Sequence, residues 1–384
     1  MTFPITNQWG SIKPKRLDVE HISIFNGQVG SAFNHQAQLA FDGTKLYATW
    51  SCAPKDEEEA GQQVMLSTSE DCGSTWSTPT VLAPSRLGVH AHSVVVSSGI
   101  LVTKNHLIAF TGEWERYEAH RNKEREQLQA EKGIHPTFNV RTEARISTDR
   151  GVSWSSPTVV VKNQFGFMPP MKTHTGRLIL PGHLTCSYTD DESGLTGWRR
   201  AMLPGLPTDY LDDWYNRANG ARILNIPHHF NEANHFQKSD GTICMMLRNE
   251  LHTSMGVSES KDNGETWSLP TLTDFSNSVS RSHFGRLPDG RWFCVNCPTP
   301  AAANALPSTR TPRTPVVLAI SADGIHFNEH FIVGDDVQGE PRMPGYLKHG
   351  RYGYPFLCLV NDEVLVIYST NKEDIRVAKF QLPR

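Results

Sequence analysis

Alternating apolar and polar residues recur in short pairs along the chain, and each pair surrounds a polar turn. The stretch QLAFDGTKLYATW, residues 38–50, is typical, with one apolar run on each side of Gly43. Alternation of this kind indicates a half-buried strand, and a glycine-containing turn between two such runs indicates a hairpin. Six hairpins are predicted, with turns near Gly43, Asn105, Gly176, Gly241, Gly290 and Asp362.

These turns lie roughly 50 to 70 residues apart, and a strand-rich unit of that size cannot bury both of its own faces. Repeats of this kind predict an all-β fold, a six-bladed β-propeller in which neighbouring blades cover one another. We expect one propeller domain over residues 1–384, with seven blades as the alternative if the N-terminal segment contributes another. The last strand, IRVAKFQL, can pair with an N-terminal strand such as HISIF and close the ring without a free edge.

A second motif recurs between the hairpins. The pattern Ser-x-Asp-x-Gly-x-Ser/Thr-Trp occurs at residues 69–76, 147–154 and 260–267, and a shortened copy, SADGIHF, occurs at 321–327. Aspartate and glycine at this spacing suit a tight turn, because the carboxylate accepts backbone N–H groups and glycine adopts a positive φ. The tryptophan can pack back under the turn, so the motif predicts a structural hairpin on an outer strand.

Two segments interrupt the repeats. Trp114–Gly133 is highly charged and lacks strand alternation, so it predicts a helical insertion near 114–133, either a solvated surface helix or a lid over a site. Asp209–Asn219 falls where the third blade should carry its own turn motif, and no copy of the motif is visible there.

Composition narrows the classes of function. The 384 residues carry a net charge of −3, which argues against a nucleic-acid partner. There is no run of 18 apolar residues and no apolar leader at the N-terminus, so we expect no membrane association and a cytoplasmic protein. The seven cysteines are odd in number and scattered, as in a reduced protein. A lone CxxC pair, Cys294 and Cys297, does not by itself indicate a zinc or redox site.

Counting from the hairpin turns brings several polar residues to one end of the propeller axis. The starts of innermost strands converge there, and four residues lie near such starts: His35, His92, Glu232 and His283. The place of His92 is counted from Gly99, the expected local turn of its long hairpin. His183 and Arg248 occupy matching places after the turns of neighbouring blades. Histidine near neutral pH can accept or donate a proton, so His35 and His92 are candidate catalytic residues, and arginine binds carboxylates. The alternatives are structural, with His92 in the barrel wall and Arg248 paired with Glu232 or Glu250.

The turn motif resembles the Asp box, or BNR repeat, of the sialidase superfamily, and this resemblance implies a propeller of sialidase type. The segment FNEANHFQKSDGTICMMLRN is similar to the sialidase segment that carries a glutamate and a carboxylate-binding arginine, which implies these roles for Glu232 and Arg248. Similar local matches imply Asp56 as acid/base, Arg313 as a second carboxylate-binding arginine and Tyr354 as nucleophile.

Two positions depart from the sialidase pattern. Sialidases begin with Phe/Tyr-Arg-Ile-Pro, whose arginine completes a clamp on the substrate carboxylate, whereas this chain reads FNHQ, residues 33–36. Ser369 stands where sialidases usually have a glutamate. The FNHQ stretch looks more like propeller enzymes that cleave rhamnosyl-glucuronate caps by hydrolysis or elimination, which implies His35 as a catalytic residue and Gln36 as a substrate-binding residue.

Three functions follow as expectations. The first is an exo-acting enzyme that cleaves a glycosidic bond next to an acidic sugar, a uronate, by His-based elimination or hydrolysis. The second is a sialidase-like exo-glycosidase with a tyrosine nucleophile, and the third is a non-catalytic propeller that binds glycans. The expected partner is an acidic oligosaccharide, with His183, Arg248, His283 and Arg313 among the binding residues. No motif requires a cofactor, and a divalent metal beside the histidines stays open.

Overall fold

A computed structural model describes residues 4–116, 137–299, 312–337, 339–345, 348 and 351–383. Six sheets, each a blade, surround a central axis, so the prediction of a six-bladed propeller is confirmed. Two strands precede the first complete blade: β1 (Lys15–Arg16) and β2 (Glu20–Phe25).

The first three blades each contain four consecutive strands. Blade 1 contains β3 (Phe33–Phe41), β4 (Leu46–Ala53), β5 (Gln63–Ser69) and β6 (Thr80–Ala83). Blade 2 contains β7 (Ser93–Val102), β8 (Leu107–Arg116), β9 (Thr137–Ser147) and β10 (Thr158–Lys162). Blade 3 contains β11 (Met171–Lys172), β12 (Leu178–Pro181), β13 (Cys186–Thr189) and β14 (Arg199–Ala201).

The remaining blades follow after a 3-10 turn, Trp214–Asn216, and one short helix, α1 (Arg217–Leu224). Blade 4 contains β15 (Phe230–Gln237), β16 (Ile243–Asn249), β17 (Ser254–Ser260) and β18 (Thr271–Ser276). Blade 5 contains β19 (His283–Arg286), β20 (Trp292–Asn296), β21 (Val316–Ser321) and β22 (Glu329–Gly334). Blade 6 contains β23 (Tyr352–Val360), β24 (Glu363–Thr370) and β25 (Asp374–Gln381).

The two ends of the chain close the ring. β2 pairs antiparallel with β25 and becomes the outer strand of blade 6, as the sequence predicts. β1 adds to blade 5 by pairing in parallel with β22. Both pairings cover edges that would otherwise be open to another chain.

The apolar core lies between adjacent blades. One cluster joins three blades through Trp50 of β4, Val96 of β7 and Ile367 of β24, and another packs Leu318 of β21 against Val366 of β24. Because both faces of each sheet are covered in this way, the inner strands are buried along most of their length.

The Asp-box turns join the third and fourth strands of their blades. In the first copy, Asp71 accepts the backbone N–H of Thr75 at 2.9 Å, and the indole N–H of Trp76 donates to the carbonyl of Gly73 at 3.0 Å. β5 runs parallel to β3, so this turn lies at the end of the propeller opposite the start of β3. The motif therefore pins an outer hairpin far from the face where the innermost strands begin.

Blade 3 carries a copy of this turn that the sequence motif does not reveal. In TDDESGLTGW, residues 189–198, Asp191 accepts the N–H of Thr196 at 2.9 Å and Trp198 donates to the carbonyl of Gly194 at 3.0 Å. Extra residues stretch the spacing, which hides the motif although its hydrogen bonds are retained. The segment Asp209–Asn219 instead leads through the 3-10 turn into α1.

Two sequence predictions change in blade 2. Residues 114–116 continue strand β8, and the rest of the predicted helical insertion, 117–133, lies outside the described residues. Gly99, the expected local turn from which the place of His92 is counted, instead lies in a bulge within β7. The turn of this hairpin is formed by the hydrogen bond from the Thr103 N–H to the His106 carbonyl, 3.0 Å long.

Candidate active site

Three innermost strands carry a bulge near their starts, and each bulge contains a residue that sequence analysis selected. Gln36 in β3, Glu232 in β15 and Tyr354 in β23 have φ angles of 57°, 47° and 53°. The strand pairing shifts register at each of these points. Non-glycine residues rarely adopt a positive φ, and such strain clusters at functional sites because it re-aims a side chain.

A tyrosine, a glutamate and an arginine meet where these bulges converge. The hydroxyl of Tyr354 donates to Oε1 of Glu232 at 2.7 Å and accepts from Nη1 of Arg248 at 2.7 Å. The same Nη1 also donates to Oε2 of Glu232, and Nη2 of Arg248 pairs with Glu250 at 2.5 Å. Arg248 therefore forms both of the ion pairs that were considered from sequence, and in addition it contacts the tyrosine.

The charges in this cluster decide its protonation. Burial alone would raise the pKa of Glu232, but the nearby positive charges of Arg248 and Arg281 lower it to about 2. Burial raises the pKa of Tyr354, although Arg248 opposes the shift. At neutral pH the pair is therefore a phenol hydrogen-bonded to a carboxylate, so a candidate nucleophile lies beside a group that can take its proton.

Two more arginines lie close to the ring of Tyr354. The guanidinium of Arg281 lies 4.4 Å from the ring centroid, and that of Arg313 lies 5.5 Å from it. Arg313 donates to the carbonyl of Val279 at 2.9 Å, and its buried Nη1 has no hydrogen-bond partner in the described part of the chain. Three guanidinium groups outnumber the two carboxylates, Glu232 and Glu250, that pair with Arg248, so the site keeps a net positive charge suited to a carboxylate.

His35 also lies against the ring of Tyr354, with 4.2 Å between ring centroids. Its Nδ1 is 2.6 Å from Oγ of Ser369, and that hydroxyl can donate to the Gly353 carbonyl at 3.4 Å. This arrangement favours the proton on Nδ1 and leaves Nε2 as a buried acceptor without a partner among the described residues. Burial and the charge of Lys372 hold the pKa of His35 well below its usual value, so its ring is neutral.

The predicted Asp56 is buried in the loop after β4, and its carboxylate accepts the N–H of Glu57 at 2.9 Å. Glu57 makes the direct link to the bulges, because it accepts from Nε2 of Gln36 at 3.0 Å and from Nζ of Lys372 at 2.6 Å. Asp56 therefore lies one residue from this network.

His183 is buried beside the cluster. Its ring lies 4.6 Å from that of Phe165 and 5.0 Å from that of Phe167, and neither ring nitrogen has a hydrogen-bond partner among the residues described. Burial lowers its pKa to about 4. Asp212 holds the loop by accepting the N–H groups of residues 183–185.

His92 and His283 are not brought into contact with these residues. His92 is exposed in the loop before β7. His283 stacks on Phe356 with centroids 3.8 Å apart, and its Nδ1 accepts the backbone N–H of Leu357 at 3.0 Å. Its place is therefore in the packing between blades 5 and 6.

Three residues of the cluster were not predicted from the sequence: Glu57, Arg281 and Lys372. Arg281 lies two residues before His283, so the same count from the turn of β19 could have found it. Lys372 lies in the β24–β25 turn and carries no motif, so only the assembled blades bring it to the site.

Among the described residues, no three His, Cys, Asp or Glu side chains lie close enough together to hold a metal ion. Cys294 and Cys297 are both buried and unlinked. No helix in the described ranges is long and apolar enough to cross a membrane.

Comparison with families and solved structures agrees with this architecture. The family model of the BNR repeat-like domain matches residues 44–367. No curated protein matches the chain in sequence.

Among solved structures, a protein of unknown function from Dyadobacter fermentans has a TM-score of 0.67 at 17% identity, covering 95% of this chain and 99% of that one. An intramolecular trans-sialidase from Ruminococcus gnavus has a TM-score of 0.62 at 12% identity, covering 94% and 97% of the two chains. A sialidase matches with a TM-score of 0.63 at 18% identity over 100% of this chain but 34% of its own. At these identities the likeness concerns the fold.

Proposed function

The chain belongs to the BNR repeat-like domain family, and from that premise we propose that it is an exo-acting enzyme that cleaves the glycosidic bond of a terminal carboxylated sugar. The observation that carries the proposal is the 2.7 Å hydrogen bond from Tyr354 to Glu232, made at two strained bulges and covered by Arg248. Tyr354 and Glu232 are 7% and 8% exposed, so a chain end suits this site better than the middle of a polymer.

The hydrolytic sequence uses these groups in turn. The Tyr354 oxygen attacks the anomeric carbon while Glu232 takes the phenol proton, and the glycosidic C–O bond breaks. Asp56, on the neighbouring loop, protonates the departing oxygen. Water then attacks the anomeric carbon, transfers its proton to Asp56 and releases the tyrosine oxygen, which recovers its proton from Glu232. Tyrosine nucleophiles of this kind are a recognised exception to the two-carboxylate scheme of glycoside hydrolysis.

Substrate selection rests on the guanidinium groups. Arg281 and Arg313 approach the tyrosine ring, and each has a buried N–H with no hydrogen-bond partner in the described part of the chain. Such donors cost free energy unless a ligand accepts from them, and a sugar carboxylate accepts two in parallel. Sialic acids and uronates both offer this group.

His35 supports a second candidate, elimination at a uronate such as a rhamnosyl-glucuronate cap. Its neutral ring leaves a buried Nε2 acceptor beside Tyr354, in the stretch where a sialidase carries its arginine. In that reaction His35 removes the proton at C5 of the uronate, the C4–O bond breaks with formation of a C4–C5 double bond, and the leaving oxygen is protonated by Tyr354.

One experiment separates these functions. The protein is incubated with sialyl, rhamnosyl-glucuronate and other uronate oligosaccharides, and the products are weighed by mass spectrometry. Hydrolysis adds the mass of one water, whereas elimination adds none and leaves an unsaturated uronate. Binding of these glycans without any product would overturn the enzymatic proposal and favour a glycan-binding propeller.

A further inference from the structure

We propose that Lys372 is a specificity-determining residue that binds the substrate carboxylate and stands in for the arginine absent from the FNHQ stretch. This inference rests on the proposed function, because it assumes that the cationic site holds a carboxylated sugar.

The backbone at Lys372 is unusual. Asn371 and Lys372 are the two central residues of a turn between β24 and β25, which the Glu373 N–H closes by donating to the Thr370 carbonyl at 2.9 Å. Their φ angles are 52° and 55°. Turns of this type favour Asn-Gly, because both central residues need a positive φ. A lysine at the second position is strained, and strain of this kind persists where a side chain must point in a given direction.

The ammonium group is buried and only partly satisfied. The Lys372 side chain is 6% exposed and its Nζ donates to Oε2 of Glu57 at 2.6 Å. A lysine ammonium has three donors, and the other two have no hydrogen-bond partner in the described ranges. Glu57 is also shared with Gln36, whose Oε1 is buried without a partner among the described residues. The Gln36–Glu57–Lys372 network therefore holds unused hydrogen-bonding groups.

The turn is tied to the strand that lacks the arginine. Asn34 donates its backbone N–H to the carbonyl of Lys372 at 2.8 Å, and its side-chain amide donates to the carbonyl of Glu373 at 2.8 Å. Trp50 fixes the amide oxygen of Asn34 from the other side at 3.0 Å. The residue next to His35 thus anchors the lysine turn on β3.

Ring contacts connect Lys372 to the reacting groups. Its ammonium lies 6.0 Å from the ring centroid of Phe33, Phe33 lies 6.0 Å from His35, and His35 lies 4.2 Å from Tyr354. Lys372 is also the charged neighbour that most lowers the pKa of His35 after burial. In the proposed complex the carboxylate beside Tyr354 binds Lys372, which is linked to Tyr354 through Phe33 and His35, as well as Arg281 and Arg313 at the tyrosine ring.

Binding of N-acetylneuraminate, glucuronate and their methyl esters, measured by calorimetry, tests the assignment. We expect Lys372→Met to weaken binding of the free acid about 10- to 100-fold, the scale of one hydrogen bond between charged groups. Methyl ester binding should stay within about threefold, and Lys372→Arg should restore most of the affinity for the acid. Lys238→Met is the matched control, because Lys238 forms a 2.7 Å pair with Glu259 away from the site.

A second variant separates binding from a structural ion pair. Glu57→Gln removes the competing carboxylate, so we expect it to tighten binding of the free acid, whereas a purely structural pair predicts weaker binding. Unchanged acid binding in Lys372→Met, or weaker binding in Glu57→Gln, would overturn the role of Lys372. Wild-type protein that binds neither acid would overturn the proposed function itself, which keeps the two failures apart.

Discussion

The hydroxyl of Tyr354 donates a 2.7 Å hydrogen bond to Glu232, a residue 122 positions away in the sequence. The two residues come from blades 6 and 4, and each stands on a bulge with a positive φ. Positive φ angles at both residues of one contact support the proposal that this contact takes part in the chemistry, because such strain clusters at functional sites.

Replacing Tyr354 with phenylalanine should remove turnover while the fold persists. The variant loses only the oxygen that attacks the sugar, so we expect kcat to fall at least roughly a thousandfold, as when a covalent nucleophile is removed. Tyr352→Phe is the control, since that hydroxyl donates to Asp336 at 2.7 Å outside the cluster. The measurement is steady-state kinetics on the substrate that mass spectrometry of the products identifies. Normal turnover by Tyr354→Phe would exclude the phenol as nucleophile.

Much of this fold is predictable because its signals are local. The hairpin alternation and the Asp-box spacing each lie within a few consecutive residues, and together they indicate the six blades and the closure of β2 on β25. The blade 3 turn was hidden because Asp191 and Trp198 are separated by extra residues although their hydrogen bonds survive. A hydrogen-bond pattern tolerates insertions that a spacing rule does not.

The site was less predictable because its geometry depends on contacts between blades. Glu232 is predicted from its place near the start of an innermost strand, and Tyr354 from the resemblance to sialidases. His92 is predicted by counting from Gly99, which lies in a bulge rather than a turn. Lys372 could not be predicted as a site residue from the sequence. Its position depends on the pairing of β24 with β25 and on the hydrogen bond that its carbonyl accepts from the Asn34 N–H.

The Asp-box tryptophans should contribute to stability and not to turnover. Trp267 is 3% exposed, donates to the Gly264 carbonyl at 3.1 Å and packs on His235, so Trp267→Phe should destabilise the protein by about 1–3 kcal/mol. Trp76 makes the same hydrogen bond from a half-buried position, so Trp76→Phe should cost less, about 1 kcal/mol or below. Urea unfolding measures both, and a change in kcat at full folding would contradict the structural role.

The stability of the protein should fall in acid in a way that depends on Glu232. Burial opposes ionisation of this carboxylate, but Arg248 and Arg281 lower its pKa to about 2 from an ordinary value of 4.5. A depressed pKa in the folded state stabilises the protein above about pH 4.5, and that contribution disappears as the pH falls towards 2.

Glu232→Gln should therefore flatten the loss of stability between pH 4.5 and pH 2 that the wild type shows. At pH 7 we expect this variant to be less stable by roughly 3 kcal/mol, the lower end for a broken buried ion pair, because Glu250 still neutralises Arg248. Urea unfolding across this pH range is the measurement, with Glu259→Gln as a control away from the site. Parallel curves for wild type and Glu232→Gln would show that Glu232 is not the group that titrates.

Replacement of His35 distinguishes hydrolysis from elimination, the two reactions proposed for this site. His35→Phe keeps an aromatic ring against Tyr354 and removes both nitrogens, so it deletes the proton acceptor while largely retaining the packing. If Tyr354 and Glu232 carry the reaction, kcat should fall less than about tenfold, since general-base catalysis by His35 is not used. Because burial and Lys372 keep His35 neutral, wild type and variant should also share one pH–rate profile near neutrality. A loss of about a hundredfold or more, together with disappearance of an unsaturated uronate from the products, would instead assign the base to Nε2 of His35.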